Sequence, residues 1–227
     1  MDQLTRALVE GMGAVFEPEG PVVEIGSRRV QDVAYWDLRP LFPGRQYVGC
    51  DMEPGTGVDC LQRIEALSLA DGAAGTVLCL NVAEHVYRIF DAVRELHRIT
   101  APGGTALVVT VFNLDIHGFP EDFWRFTPAA LLRLMDPFES VLYGWQGHAK
   151  SPRLVFALGR KRPLADPDAA AAAWRRETLA RWTERPSAWQ RVGAGLGAAL
   201  FGKRYFRNIR HWWNLEMVAA RGDTEGR

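Results

Sequence analysis

The stretch TVLCLNVAEHVYRIFDAVRELHRITAPGGTALVVTVF, residues 76–112, decides the fold. Its two ends, TVLCLNV at 76–82 and TALVVTVF at 105–112, are continuous apolar runs, as expected of strands buried on both faces. Between them Val86, Ile89, Phe90, Val93, Leu96 and Ile99 recur at spacings of three and four, which predicts a helix over 84–99. Pro102 cannot continue that helix, and Gly103 and Gly104 permit the turn that ends it. A strand, a helix and a strand in this order predict a right-handed parallel crossover.

The same reading extends outward. Upstream, VVEI at 22–25 is a short apolar strand ending at Gly26, and QYVGC at 46–50 is a second one closed by Asp51. An amphipathic helix precedes them over 1–16, with Leu4, Leu8, Val15 and Phe16 on one face. Downstream, Thr127-Pro128 opens a helix with a hydroxyl cap and a proline in its first turn. Residues 140–143 and 153–158 can close the sheet as two antiparallel strands. The expected fold is α/β: a Rossmann-like, open, mostly parallel sheet flanked by helices, over residues 1–160. A helical C-terminal extension occupies 161–227, with an Ala-rich helix near 167–183, a break at Pro186 and a Gly/Ala segment over 193–202.

Composition narrows the function classes. The chain has 227 residues, 48% hydrophobic and 24% charged, which excludes a collagen-like, disordered or disulfide-stapled protein. No apolar run is long enough to span a membrane. The N-terminal MDQLTRALVEGMG lacks the charged-then-apolar order of an export signal, so a cytoplasmic protein is expected. The net charge of zero conceals an asymmetry: residues 1–159 hold 13 Lys+Arg against 20 Asp+Glu, while 160–227 hold 14 against 7. The acidic body argues against nucleic acid as a partner. Cys50, Cys60 and Cys79 are odd in number and show no CxxC spacing, so they read as small buried hydrophobes.

In an open parallel sheet, ligands bind beyond the carboxyl ends of the strands. The residues there are Gly26, Ser27 and Arg28 after the first strand, Asp51 after the second, 81–85 after the third and 113–126 after the fourth. A carboxylate at Asp51 can accept both hydroxyls of a ribose, and Gly26 allows close approach to the backbone. This pair suits either a nicotinamide cofactor or S-adenosylmethionine (SAM). The phosphate fingerprint GxGxxG is missing, since Gly26-Ser27-Arg28-Arg29-Val30 follows the strand. A dinucleotide needs that glycine-lined helix start, whereas SAM carries no phosphate.

Taken in order, VVEIGS (22–27), YVGCDMEPGTGVD (47–59), NVAEHV (81–86), RELHRITAPGG (94–104) and HGFPEDFWRFTP (117–128) resemble the class I SAM-dependent methyltransferases. The last segment is similar to a stretch found in a bacterial branch that modifies small molecules. The resemblance implies a cofactor site in which Glu24, Gly26 and Ser27 line the methionine end, Asp51 binds the ribose and Met52 packs on the adenine. Asn81, Val82 and Glu84 would lie near the transferred methyl. It also implies S-adenosylhomocysteine (SAH) as product and a sugar or secondary-metabolite intermediate, methylated at oxygen or nitrogen, as acceptor. Three positions depart from the family pattern. Arg28 follows where a glycine is usual, Arg63 stands where an acidic residue approaches the adenine amine, and Gly75 replaces an aspartate.

His117 and His85 are the candidate acid–base residues, because imidazole titrates near neutral pH. No Ser/His/Asp constellation and no metal-ligand spacing is visible, so no metal is expected. An alternative from another class remains open: a catalytically silent relative that engages a partner through its basic, aromatic tail. Five of the eight tryptophans lie in that tail: Trp174, Trp182, Trp189, Trp212 and Trp213. It could complete a homodimer, or lie on a membrane surface through GAALFGKRYFRNIRHWW.

Overall fold

Strand β4 (Ala74–Leu80) is buried at every position, and its side chains divide between two cores. Val77 and Cys79 point to one face and Leu78 and Leu80 to the other, which is why the run is apolar without alternation. The structure, a computed structural model, describes residues 2–29, 34–118, 120–184 and 213–220, together with positions 189, 192 and 196. On one side of β4 lie β1 (Val22–Ile25), β2 (Tyr47–Asp51) and the short β3 (Cys60–Leu61). On the other side lies β5 (Thr100–Val111). All pairings among these five strands are parallel. Next to β5 come β7 (Ser151–Arg160), then β6 (Ser140–His148), then β8 (Leu215–Ala219), each antiparallel to its neighbour. The sheet order is β3-β2-β1-β4-β5-β7-β6-β8.

Helices cover both faces. Ile89, Val93, Leu96 and Ile99 of α2 (Ile89–Ile99) and Leu131 of α3 (Pro128–Leu134) pack with Val23, Ile25, Val77 and Val108. Leu4, Leu8 and Met12 of α1 (Gln3–Phe16) and Trp174 of α4 (Pro167–Arg181) pack with Leu78, Leu107, Phe156 and Leu158. Each such side chain contributes about 1.5–3 kcal/mol by leaving water. Side-chain caps begin three helices: Asp2 accepts from the Thr5 amide, Thr127 from Ala130 and Asp166 from Ala169.

The helix expected over 84–99 starts later, at Ile89, and residues Ala83–His85 form a single 3-10 turn. The carbonyls that would propagate the helix are taken by another segment. Glu84 C=O accepts the amides of Phe123 and Trp124, and Val86 C=O accepts the Trp124 indole N–H at 2.9 Å. Phe90 stands 68% exposed, off the α2 face that buries Ile89, Val93 and Leu96.

The residues beyond 160 share the second core. Trp174 is fully buried, donates its indole N–H to Leu8 C=O at 3.0 Å and meets Phe156 edge-on. The extension, expected as helical, also supplies a strand: Leu215 and Ala219 of β8 are buried while Glu216 and Val218 face out. That alternation spans only five residues. The break at Pro186, the segment 193–202 except Leu196, and residues 204–212 lie outside the described residues.

Candidate active site

The strand order reverses between β1 and β4, and a cavity of about 280 Å³ opens over the carboxyl ends of β1, β2 and β4. Gly26, Asp51, Met52, Asn81, Val82 and His85 all line it. Gly26 has φ of 77°, a conformation that disfavours any side chain, and a Cβ there would lie 2.1 Å from a Val82 methyl. Its amide donates to Cys50 C=O at 2.8 Å, so the turn is fixed to β2. The Asp51 carboxylate is held by two backbone amides, Arg28 N–H on Oδ2 at 3.0 Å and Glu53 N–H on Oδ1 at 3.1 Å.

Two residues expected at the cofactor stand elsewhere. Glu24 does not line the cavity: it shares the opposite sheet face with Val22 and Tyr47, and the Tyr47 hydroxyl donates to it at 2.7 Å. Strand alternation explains this, since Val23 and Ile25 face the other core. Burial pushes the Glu24 carboxyl up to about 7. Ser27 is also absent from the lining. It packs so closely beneath β2 that a Cβ on Gly49 would come within 2.7 Å of its hydroxyl oxygen.

The three departures have physical readings. The Arg28 guanidinium pairs with Glu53. Arg63 does line the cavity, but its side chain is 67% exposed, and Glu65 two residues on brings a carboxylate to the same wall. Glu65 Oε2 is buried without a hydrogen-bond partner. Gly75 sits at the far end of β4, where a Cβ would lie 2.7 Å from Glu19 C=O, so no aspartate fits. The segment carrying Glu65 is clamped from α2: Arg98 donates to the carbonyls of Leu67 and Leu69, and Glu95 accepts the Leu67 amide at 2.7 Å. Sequence reading missed Glu65, Tyr87 and Phe123 at this cavity. Tyr87 and Phe123 meet edge-on at 5.4 Å from segments 36 residues apart, a proximity that spacing does not reveal.

A second cavity of about 440 Å³ adjoins the first, and Asn81 and His85 line both. Val111, Asn113, Leu114, His117 and Leu154 complete most of its wall. Asn81 has φ of 58° and its Oδ1 is buried without a partner. Among residues with a side chain, Asn is one of those that adopt this left-handed conformation most readily.

Beneath the junction lies Glu84, fully buried. Its Oε2 accepts the Thr110 hydroxyl at 2.6 Å, while its Oε1 has no hydrogen-bond partner and lies 3.8 Å from His117 Nε2. The rings of His85 and His117 meet edge-on at 4.7 Å. The structure thus brings both candidate histidines and Glu84 together across 32 residues of sequence. The covering loop is locked by its own charges. Asp122 takes two bonds from Arg125 and the His117 amide at 2.8 Å, and the Arg125 guanidinium holds the Asp122 carboxyl well below the usual carboxylate range.

Residues 33–108 match the family described as a methyltransferase domain. No curated protein matches the sequence. Among solved structures, the 1,6-didemethyltoxoflavin-N1-methyltransferase of Burkholderia thailandensis, with bound 1,6-didemethyltoxoflavin and SAH, is similar at 18% identity and a TM-score of 0.54, covering 71% of this chain and 80% of that one. The YcgJ protein of Bacillus subtilis is similar at 13% identity and a TM-score of 0.51, covering 70% and 99%. These two likenesses bear on the fold. The match to a methyltransferase domain covers a third of the chain, and the strand order and the cavity at its reversal agree with that fold.

Proposed function

We propose that this protein transfers the methyl group of SAM to an oxygen or nitrogen of a small-molecule acceptor. The observation that carries this reading is the junction of two cavities at Asn81 and His85, one under the glycine turn and carboxylate, the other under His117. The first cavity suits the cofactor. Gly26 leaves the backbone open where a side chain would collide, Asp51 is poised to take two ribose hydroxyls, and Met52 offers an apolar face. Glu65 faces Arg63 through Oε1 at 3.6 Å while its buried Oε2 has no hydrogen-bond partner, which supports Glu65 over Arg63 as the acceptor at this wall. Asn81 and Val82 close the side nearest the second cavity, and Glu24 and Ser27 support the strand and turn from behind.

Bound there, SAM would supply an electrophilic methyl on a sulfonium, so the protein's task is chiefly to align the acceptor. The second cavity holds that acceptor and is small and partly apolar, which supports a metabolite over a macromolecule. His117 or His85 accepts the acceptor's proton where one must leave, with Glu84 stabilising the charge that develops. The loop lock through Asp122 and Arg125 keeps His117 in place. No helix among the described residues is long and apolar enough to cross a membrane.

The test is SAH release from SAM with a panel of hydroxylated sugars, phenols and nitrogen heterocycles. Acceptor-dependent SAH that falls at least a hundred-fold in the double variant His85→Ala, His117→Ala supports the reading. SAH formed equally well by the double variant would overturn the assigned roles.

A further inference from the structure

We propose that Glu84, His85 and His117 form a binding site for a divalent transition-metal ion between the two cavities. One ligand atom from each of Glu84, His85 and His117 lies within 4.8 Å of the others. Two imidazoles and one carboxylate are a donor set suited to zinc, manganese, iron or cobalt. An ion with bonds of about 2.0–2.2 Å holds its ligand atoms about 3–4 Å apart. The 3.8 Å between Glu84 Oε1 and His117 Nε2 is too long for a hydrogen bond and falls in that range.

The surroundings point the same way. The Glu84 carboxylate is fully buried, with Oε1 lacking any hydrogen-bond partner and Oε2 anchored by Thr110. A buried carboxylate left in this state is costly unless a cation meets it. Asn81 Oδ1, also buried and orphaned, lies on the wall the two cavities share. Both histidines have Nδ1 occupied: His85 Nδ1 lies 2.5 Å from Glu121 C=O, and His117 Nδ1 lies 3.1 Å from Asp115 C=O and 3.4 Å from an Asp122 oxygen. With Nδ1–H donating outward, each ring keeps its Nε2 lone pair for an ion, which is how metal-binding histidines are oriented by their neighbours. The site was invisible in the linear spacing because His117 arrives on a loop fastened by hydrogen bonds to Glu84 C=O.

His85 and His117 both line the second cavity, so an ion held by them would face the acceptor's side of the junction. Resting on the methyl-transfer reading, a bound ion would take over the histidines' part in removing the acceptor's proton by acidifying a coordinated hydroxyl, and it deepens the acceptor class to a small molecule that offers an oxygen ligand.

The test uses the full chain stripped with chelator and titrated with Zn²⁺ by calorimetry and with Co²⁺ by visible absorption. The expected result is one ion per chain with micromolar or tighter affinity, and a Co²⁺ spectrum of nitrogen and oxygen ligation. His117→Ala, on the covering loop, and Glu84→Gln, which keeps the Thr110 bond, should each weaken binding at least ten-fold. Asp51→Ala should leave it unchanged. No ion bound by the wild type, or binding untouched by His117→Ala and Glu84→Gln, overturns the site. SAM titration of the same samples separates the two readings. A protein that binds SAM but takes up no added ion ends the metal site alone, whereas one that takes up the ion but does not bind SAM keeps the metal site and ends the cofactor assignment.

Discussion

Replacing Glu24 with Gln should flatten the pH dependence of stability between pH 5 and 8. Glu24 is buried against Tyr47, and its carboxyl is raised from 4.5 to about 7 by loss of water. The folded state therefore holds a proton that the unfolded chain releases at lower pH. Because the folded protein binds more protons through this window, the group's contribution is fully present below pH 4.5 and lost as pH rises through about 7, opposite in sign to an ion-paired carboxylate. Integrated from pH 5 to 8, the loss is about 2.5 kcal/mol. Gln accepts the Tyr47 hydroxyl in the same way, and any constant cost of its buried amide cancels when two pH values are compared. Urea unfolding of both proteins at pH 5 and pH 8 measures the quantity directly. The stability difference, variant minus wild type, should be about 2.5 kcal/mol more favourable at pH 8 than at pH 5. A difference that stays constant with pH would refute a neutral buried Glu24.

Other substitutions test separate parts of the account. Gly26→Ala forces a methyl to within 2.1 Å of Val82 at a φ of 77°. It should cost about 2–4 kcal/mol and abolish detectable SAM binding, read by thermal unfolding and calorimetry. Trp124→Phe removes the indole bond to Val86 C=O. The acceptor KM should rise about five-fold, as for about 1 kcal/mol lost from the loop's seat, in steady-state kinetics. Trp174→Phe leaves a void between α1 and α4 and strands the Leu8 contact. It should lower Tm by about 4–8 °C while SAM affinity stays unchanged, which would show that residues beyond 160 stabilise the domain without entering the cofactor site.

Much of the fold was readable because the decisive strands are buried on both faces and three of the four described helices carry side-chain caps. The continuous run ending at Leu80, the Thr127 cap and the antiparallel pair β6 and β7 all follow from local pattern. The start of α2 was not readable. Periodicity placed Glu84 in the helix, but its carbonyl is consumed by Phe123 and Trp124, a tertiary interaction with no local signature. The site divides along the same line. Gly26, Asp51 and Asn81 follow directly from strand ends, and strand ends are visible in a sequence. Glu24 sits one residue out of phase with the cavity, since alternation along β1 turns it to the other face. Glu65 and the Glu84–His117 approach depend on how two loops fold over the sheet. Residues 197–212, nearly all of the stretch expected at a membrane surface, lie outside the described residues.

The most direct test of the central claim is calorimetric titration of the wild-type chain and Asp51→Ala with SAM and SAH. The account predicts binding near micromolar, weakened in the variant by about 1–3 kcal/mol, as for a lost hydrogen-bonding charge. Binding that is equal in both proteins, or no binding by the wild type at millimolar ligand, would contradict a cofactor site built on Asp51 at the reversal of the sheet.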